Sequence, residues 1–219
     1  MNSFYQKYID KENEYYSALQ VGQPASGEIA PKVLNDALNW LCEDAESILD
    51  FGCGSGGLLF CCSFRNVCKL VGIDLAADGI RYAESCAAFL PESEFSFLHG
   101  SFEKLITVPD FCFDGLILSN ILDNMRPEDA LTALRECVRC LKPGGKAIIK
   151  LNSYLTAETI KEWNVKVLDV DLLDDGMLLW NQPDEMWLKR LHCYFTEVNQ
   201  KDVFFEEYDM HNRLFLCVK

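Results

Sequence analysis

Short apolar runs alternate along this chain with stretches whose apolar positions recur every three or four residues. The apolar runs predict five β-strands, at 47–51, 69–74, 94–99, 113–119 and 146–151. Leu70-Val71-Gly72-Ile73 and Gly115-Leu116-Ile117-Leu118 are continuously apolar, as strands covered on both faces of a sheet are. Strands that alternate with helices in this way predict a parallel sheet with right-handed crossovers.

The helix before the first strand is predicted from an apolar face between Ile29 and Leu41. Ser26 or Gly27 ahead of it, and Pro31 in its first turn, are a typical start. A second helix is predicted at 127–141, with a proline in its first turn and Lys142-Pro143-Gly144-Gly145 after its end.

Beyond residue 151 the pattern changes from alternation to hairpins. Residues 165–173 and 177–180 predict a hairpin around Asp174-Asp175-Gly176, and a helix is expected at 184–195. A second hairpin is predicted from 203–208 and 213–218, connected across 209–212. The segment before residue 25 is polar and rich in tyrosine, with Tyr5, Tyr8, Tyr15 and Tyr16 at nearly helical spacing.

The amino-acid composition indicates which kinds of molecule the protein can bind. The chain has 219 residues, 49% of them hydrophobic, which suits one globular core without a linker between domains. Its 20 basic and 34 acidic side chains give a formal net charge of −14, which counts against nucleic acid as the substrate. No apolar stretch is long enough to cross a bilayer, and the N-terminus lacks a signal-peptide pattern. We therefore expect a soluble, cytoplasmic protein with a small-molecule substrate and no membrane partner.

The eleven cysteines are expected to be reduced thiols, many of them buried. Cys137 and Cys140 have the CxxC spacing of a metal or redox site, but they stand alone in a helical pattern. We interpret them, like the adjacent Cys61 and Cys62, as helix residues, with unequal exposure across the CxxC pair, and we predict no metal site.

The segment from Ile48 to Leu58 carries the candidate chemistry, because an apolar strand ends there in an acid and four glycines. Gly52-x-Gly54-x-x-Gly57 fits a dinucleotide-binding loop, while Asp50-x-Gly52-x-Gly54-x-Gly56 fits an S-adenosylmethionine (SAM) loop. Asp74, at the end of the next strand, follows Gly52 by 22 residues (74 − 52), the spacing at which a carboxylate meets an adenosine ribose. A nucleoside-bearing cofactor is predicted, and the loop alone fits either type.

The surrounding motifs resemble those of class I SAM-dependent methyltransferases over residues 28–152. They comprise Leu49-Asp50-Phe51-Gly52-Cys53-Gly54-Ser55-Gly56, Val71-Gly72-Ile73-Asp74-Leu75, Phe113-Asp114-Gly115-Leu116-Ile117-Leu118-Ser119-Asn120 and Cys140-Leu141-Lys142-Pro143-Gly144-Gly145-Lys146-Ala147-Ile148-Ile149. The resemblance implies an α/β, Rossmann-like, doubly wound sheet of seven mostly parallel strands, with an antiparallel C-terminal hairpin and an added hairpin after the fifth strand. It implies one domain, divided into an N-terminal cap (1–27), a SAM-binding core (28–152), a substrate lid (153–200) and a C-terminal hairpin (201–219).

The same resemblance implies the residues that bind the cofactor: Asp50, Gly52, Cys53, Gly54, Gly56, Asp74, Leu75, Ser101, Phe102 and Asn120. In this assignment Asp50 lies near the SAM amino group, Asp74 binds the ribose hydroxyls and Leu75 packs on adenine. The alternative for both acids is helix capping. Ser101 stands where the family often has an aspartate for the adenine amine, so adenine binding depends more on Phe102 and the backbone.

Methyl transfer requires alignment and a dry site more than a specific base, so no catalytic residue is assigned. Asp123 and Asn124 are interpreted as caps of the following helix. The N-terminal tyrosines and the 165–182 hairpin, with Trp180 and Trp187, are expected to form the substrate walls.

The function expected from the sequence is SAM-dependent methylation of a small molecule by in-line displacement, releasing S-adenosylhomocysteine (SAH). A SAM-binding sensor or partner subunit without turnover is the alternative, and an NAD(P)-dependent oxidoreductase is a weaker one. The methyl acceptor and the choice between monomer and homodimer stay open.

Overall fold

The first four strands of the sheet begin and end where the apolar runs do. In the computed structural model of the protein, which describes residues 4–25 and 27–219 apart from the Tyr208 side chain, these strands are β1 (Ser47–Phe51), β2 (Lys69–Asp74), β3 (Glu94–His99) and β4 (Phe113–Ser119). The remaining strands are β5 (Leu141–Leu151), β6 (Lys166–Asp169), β7 (Leu172–Asp174), β8 (Leu178–Trp180), β9 (Glu197–Phe205) and β10 (Met210–Val218). The four strand predictions are confirmed to the residue.

The helices lie between the strands. They are α1 (Gln6–Ser17), α2 (Lys32–Cys42), α3 (Gly57–Ser63), α4 (Ala77–Ala87), α5 (Pro127–Cys140), α6 (Ala157–Glu162) and α7 (Asp184–Leu191), with 3₁₀ turns at Phe102–Thr107 and Glu206–Tyr208. None of the helices in the described part of the chain has the length and apolar character needed to span a bilayer.

Seven strands form the main sheet in the order β3-β2-β1-β4-β5-β10-β9. The first five are parallel to their neighbours, whereas β10 runs antiparallel to both β5 and β9. The predicted doubly wound fold with its antiparallel C-terminal hairpin is confirmed.

Each face of the sheet carries its own core, because successive side chains of a strand point to opposite faces. Ile48 belongs to the core with α2, α3 and α4, while Leu49, the next residue, belongs to the core with α5. Both faces are therefore covered, which explains why the central strands are apolar throughout.

Helix α2 begins at Lys32 rather than near Ile29, so the predicted start is wrong. Pro31 has an extended backbone with ψ 165° and lies just outside the helix. A proline disfavours the helical conformation in the residue before it, which explains why the helix starts after Pro31 and not at Ile29. Ser26, proposed as part of the start, lies outside the described residues.

Strand β5 begins five residues before its predicted start. Leu141 pairs with Phe113 as soon as α5 ends, and the ladder shifts register before it resumes at Lys146. The intervening glycines bond to the end of the chain: Gly144 N donates to the Lys219 carbonyl, and Lys219 N donates to the Gly145 carbonyl. A hydrogen-bond partner that lies 74 residues further along the chain (219 − 145) cannot be predicted from the local sequence pattern.

The insertion after β5 is a three-stranded antiparallel sheet, β6-β7-β8, where the sequence predicted a single hairpin. The predicted first strand breaks at Val170-Asp171, because Asp171 turns back to bond the end of β8. Its carbonyl accepts from Asn181 N at 2.7 Å and its carboxylate accepts from Trp180 Nε1 at 3.0 Å. Helix α7 also ends at Leu191, four residues early.

The C-terminal hairpin is longer than predicted. Strand β9 starts at Glu197, and its polar first half is mostly exposed because β9 is an edge strand. The connection lies at 206–209, where Asp209 has a left-handed φ of 48°, and not at 209–212.

Candidate functional site

A cavity of about 760 Å³ opens at the carboxyl ends of the parallel strands. It lies where β1 and β4 are neighbours and the strand order reverses, the position at which open α/β sheets bind ligands. The sheet supplies its floor from strand ends and the residues that follow them: Phe51, Gly52, Ile73, Asp74, Leu75, Gly100, Ser101, Phe102, Glu103, Ser119, Asn120 and Ile121.

Helix α1 covers the cavity. Its contribution is a single face at helical spacing: Tyr5, Tyr8, Ile9, Glu12 and Tyr16. Polar contacts hold the helix in place, since Asn13 Oδ1 accepts from Asp78 N of α4 at 2.9 Å and Lys11 Nζ donates to the Gly176 carbonyl at 3.0 Å. Lys7 pairs with Asp174 beside it. The predicted role of the N-terminal tyrosines as a wall agrees with this geometry, except that Tyr15 is 63% exposed.

The loop after β1 requires glycine because it is packed from both sides. Gly52 has φ +83°, and a Cβ there would lie 2.7 Å from Ile121. Gly54 has φ +52°, and a Cβ there would lie 2.3 Å from the Tyr16 hydroxyl. The loop is thus bare backbone enclosed between α1 and the start of the β4–α5 connection.

Asp74 is fixed by that loop and faces the cavity. Its Oδ2 accepts from Gly54 N and its Oδ1 from Ala76 N, both at 2.7 Å. Burial raises the pKa of Asp74, and the two backbone hydrogen bonds oppose the rise. Each carboxylate oxygen keeps lone pairs for a further donor.

Asp50 lies behind the loop and not on the cavity wall. It is 2% exposed, and its Oδ1 has no hydrogen-bond partner among the described residues. Burial first, and the charge of Asp74 second, raise its pKa well above the usual range. Neither Asp50 nor Asp74 caps a helix, since α3 and α4 have Gly56 and Ala76 at their N-caps without a side-chain cap bond.

The ten residues predicted to bind the cofactor thus fall into two groups. Gly52, Asp74, Leu75, Ser101, Phe102 and Asn120 line the cavity. The cavity lining does not include Asp50, Cys53, Gly54 or Gly56, of which the last three belong to the loop itself.

The end of the cavity near β3 carries an acid that the sequence analysis missed. Glu103 lines the wall two residues after Ser101, and its Oε1 accepts from Ser101 N at 2.9 Å. A carboxylate is therefore present beside the position where the expected aspartate is replaced by serine. An acid displaced by two positions was visible in the sequence as Ser101-Phe102-Glu103.

Asn120 is held in a left-handed conformation, φ 52°, at the end of β4. Its Oδ1 accepts from the buried Lys150 Nζ, and its Nδ2 donates to Asn152 Oδ1 at 2.8 Å. Burial lowers the pKa of Lys150 to about 8. The network fixes the amide of Asn120 at the edge of the cavity.

Asp123 is not a helix cap, which corrects the prediction. It is fully buried and accepts from Asn152 N at 2.7 Å, while Arg126 is the N-cap of α5. Burial raises the pKa of Asp123 to about 6, against the effect of its hydrogen bond from Asn152 N. Asn124 likewise accepts from Asn152 Nδ2 at 2.7 Å and lines the cavity.

Trp180 and Trp187 do not line the cavity, so their predicted wall role is wrong. Both are buried, 3% and 1% exposed, with ring centroids 5.1 Å apart in an edge-to-face pair. Both belong to the core on the α5 face of the main sheet. The insertion reaches the cavity through Met177, next to Gly176 of the β7–β8 turn.

Glu12 is the second missed residue. It lies on the inner face of α1 and, within the described part of the chain, has no hydrogen-bond or salt-bridge partner. Burial, and then the charge of Asp74, raise its pKa to about 7. The signal for it was the helical spacing of Tyr5, Tyr8 and Tyr16, which places residue 12 on the same face.

In the described part of the chain, the charged side chains on the cavity wall all have the same sign. Glu12, Asp74, Glu103 and Asp129 line the cavity, and no lysine, arginine or histidine among residues 4–25 and 27–219 does so. Carboxylates in a partly dry cavity favour a positively charged or hydrogen-bond-donating ligand. Fold and site together define a Rossmann-like protein with a crevice suited to a nucleoside-bearing, cationic cofactor.

Comparison with known proteins agrees with that class. Residues 49–149 match the methyltransferase domain family. Aclacinomycin 10-hydroxylase RdmB from Streptomyces purpurascens is 30% identical over 148 residues, which are 67% of this chain and 38% of RdmB. The chain spans less than half the length of the curated relatives that it matches.

Two solved structures show the likeness in fold. The PH0226 protein from Pyrococcus horikoshii OT3 has a TM-score of 0.68 at 21% identity, covering 94% of this chain and 98% of that one. The 1,6-didemethyltoxoflavin-N1-methyltransferase from Burkholderia thailandensis, with 1,6-didemethyltoxoflavin and S-adenosylhomocysteine bound, has a TM-score of 0.65 at 17% identity, covering 99% and 85%. Residues 49–149 are thus similar to methyltransferase domains, and the chain shares the Rossmann-like fold of these solved structures.

Proposed function

We propose that this protein binds SAM in the cavity beneath α1 and transfers its methyl group to a small organic acceptor. The observation that carries the proposal is the joint placement of Asp74 and the glycine loop on one wall of a cavity in which the charged groups of the described residues are all acidic. SAM carries a sulfonium, so such a wall suits it better than it suits the pyrophosphate of NAD, which the same glycine spacing also allowed.

The proposed cofactor half of the cavity lies between the glycine loop and the residues after β3. Asp74 would accept from the ribose hydroxyls with lone pairs that Gly54 and Ala76 leave free. Leu75 and Phe102 would pack on adenine, and Glu103 would accept from its amine where Ser101 adds no charge. The shape of the loop would be maintained by Asp50, Cys53, Gly54 and Gly56. Asp50 Oδ1, which has no partner among the described residues, would accept from the SAM ammonium either directly or through a bridging water.

Bound SAM supplies a methyl group already activated by the sulfonium. The chain's own part is to align the acceptor, to exclude water under α1 and to keep Asn120 fixed through Lys150 and Asn152. We assign no general base. The segment 153–200 would serve as part of the lid through Met177.

Transfer of a labelled methyl group from SAM into a panel of small metabolites tests this function. We expect label in at least one product and SAH released in equal amount. The Asp74→Asn variant should lose turnover, and Asp78→Asn, which makes the same charge change outside the cavity, should keep it.

One observation favours a second candidate, a SAM-binding protein without methyl transfer. RdmB, which matches 67% of this chain, is named a hydroxylase. Tight SAM and SAH binding without label in any acceptor would support this candidate over the first.

A further inference from the structure

The cavity has two ends, and α1 runs between them. Tyr16, near the C-terminal end of α1, lies against Gly54, and Glu12 is close enough to Asp74 for their charges to couple. Tyr5 precedes Tyr16 by eleven residues (16 − 5), which is about 16 Å along a helix at about 1.5 Å per residue. The end near Tyr5 is therefore remote from the ribose-binding carboxylate, and it is the part of the cavity left for the acceptor.

Apolar and aromatic side chains make up most of this acceptor end. Tyr5, Tyr8, Met125 and Met177 line it. Such a wall suits the apolar body of an organic molecule, with one or two polar groups to orient it.

Asp129 is the one acidic side chain of this end among the described residues. It lies in the first turn of α5, where the helix dipole favours a negative charge. The Tyr5 hydroxyl donates to its Oδ2 at 2.5 Å and itself accepts from Arg126 N at 2.9 Å. Burial, and then this bond to Asp129, raise the pKa of Tyr5 well above its usual range, so the phenol remains a donor.

The other carboxylate oxygen of Asp129 is open to a ligand. Within the described residues Oδ1 has no hydrogen bond and Asp129 has no ion pair. The nearby Arg126 guanidinium pairs with Glu128 at 2.6 Å and does not line the cavity. Asp129 therefore offers a fixed acceptor to a hydrogen-bond donor and repels an anion.

We propose that the acceptor is a neutral or cationic small molecule with an apolar body and a donor group, an amine or a hydroxyl, held by Asp129. Carboxylates and phosphates are disfavoured because the charged side chains that line the cavity within the described residues are all acidic. Lys7, whose Nζ lies 4.4 Å from the Tyr8 ring centroid, pairs with Asp174 and is not a lining residue. This inference rests on the proposed function, since it assumes that SAM or SAH fills the other end.

Small molecules that share a ring and differ in the charge of one group test whether the acceptor end selects its ligand by charge. Calorimetric titration of the SAH-loaded protein would use tyramine, tyrosol and 4-hydroxyphenylacetate, and in parallel tryptamine, tryptophol and indole-3-acetate. Within at least one series we expect the amine to bind about tenfold tighter than the acid, with the alcohol between them. Asp129→Asn, which keeps an oxygen for the Tyr5 hydroxyl, should lower amine affinity about tenfold and leave the alcohol nearly unchanged.

Glu158→Gln is the matched control, because it removes the same charge from the exposed first turn of α6, outside the cavity, and it should leave the amine-to-acid ratio unchanged. Equal affinity for amine and acid, binding of none of the six probes, or an Asp129→Asn protein that still prefers the amine would overturn the inference. Failure of SAH itself to bind would instead overturn the proposed function, and the SAH titration that precedes each experiment reports this separately.

Discussion

Three carboxylates near the glycine loop decide how the site responds to pH. Asp50, Asp74 and Glu12 lie close enough that the charge of Asp74 raises the pKa of both others, on top of the effect of burial. A bound cation would relieve this repulsion, which gives the cavity a physical reason to bind SAM more tightly than the uncharged sulfide of SAH.

Glu12 should make SAM binding pH-dependent. Its pKa of about 7 means that it is neutral in acid and ionised above pH 7. SAM affinity should therefore rise by roughly fivefold between pH 6 and pH 8, and SAH affinity by less, since about 1 kcal/mol is expected for one partly exposed charge. Titration calorimetry across this range measures it.

Glu12→Gln should remove most of that rise, while Glu14→Gln, on an exposed position of the same helix, should keep it. A pH profile that is the same in wild type and Glu12→Gln would contradict the assignment of Glu12 to the cofactor end.

Asp123 should make the folded protein less stable as the pH rises, whereas Glu12 should make SAM binding tighter. Burial raises its pKa from 3.8 to about 6, so protonation favours the folded state. Its stabilising contribution is complete below about pH 4 and is lost as the pH rises through 6, a change of roughly 2–3 kcal/mol. Comparison of the free energy of unfolding at pH 5 and pH 8 should show this loss in wild type and a smaller one in Asp123→Asn. Equal losses would mean that Asp123 is ionised in the fold at low pH.

At the scale of elements, α1 covers the site with few fully buried residues of its own. Tyr8 and Ile9 are its buried residues, and the contacts that hold it are largely exposed polar pairs. A helix of this kind opens locally at lower free energy than the sheet does, which gives ligands a route into the cavity.

Hydrogen exchange should report closure of α1 on the ligand. Amides of residues 6–17 should exchange faster than those of the central strands in the free protein and slow by at least about tenfold with SAH bound. Helix α2, none of whose residues lines the cavity, serves as the internal control and should not change. Amide exchange rates in α1 that SAH leaves unchanged would show that the helix does not close on a ligand bound at the cofactor end of the cavity.

The elements that the sequence predicted well are those whose register is set by local pattern. Strands β1 to β4 have apolar residues that give way to a glycine or a polar residue at the strand end, and their bounds agree with the structure. The start of β5 and the first half of β9 were missed because their partners lie far along the chain, at Lys219 and in β10. Polar edge residues such as those at 197–202 have no periodicity that distinguishes them from a loop.

The same distinction between local pattern and distant partners decides which site residues could be predicted from the sequence. Asp74 and Gly52 follow from spacing within one βαβ unit, and the structure places both on the cavity wall. Glu12 and Asp129 belong to helices 117 residues apart (129 − 12) that meet only in the folded chain. The two tryptophans were misassigned because aromatic residues suit a core as well as a pocket, and only packing distinguishes the two.

At the scale of the whole molecule, the exposure of each cysteine thiol depends on whether it lies in one of the two cores that cover the sheet. All eleven cysteines are free, and Cys68 and Cys193 are the exposed ones, with Cys112 intermediate. Cys137 and Cys140 are both buried in α5, which corrects the expected difference in their exposure. Burial raises the pKa of Cys137 well above its usual range, as it does for Cys53.

Thiol titration with a coloured disulfide reagent should therefore give two fast equivalents in the native protein and eleven after denaturation, because buried thiols react poorly. Cys68→Ser and Cys193→Ser should each remove one fast equivalent. Four or more fast thiols would contradict the packing of the cores.

Calorimetric titration of the wild-type protein with SAM, SAH and NAD tests the central claim most directly. We expect SAM and SAH to bind and NAD not to, with Asp74→Asn weakening SAM by at least about tenfold, because hydrogen bonds to a charged group contribute about 1.5–3 kcal/mol each. Asp78→Asn should bind SAM as wild type does. Tight NAD binding with no response to SAM, or an Asp74→Asn variant with unchanged SAM affinity, would contradict the account.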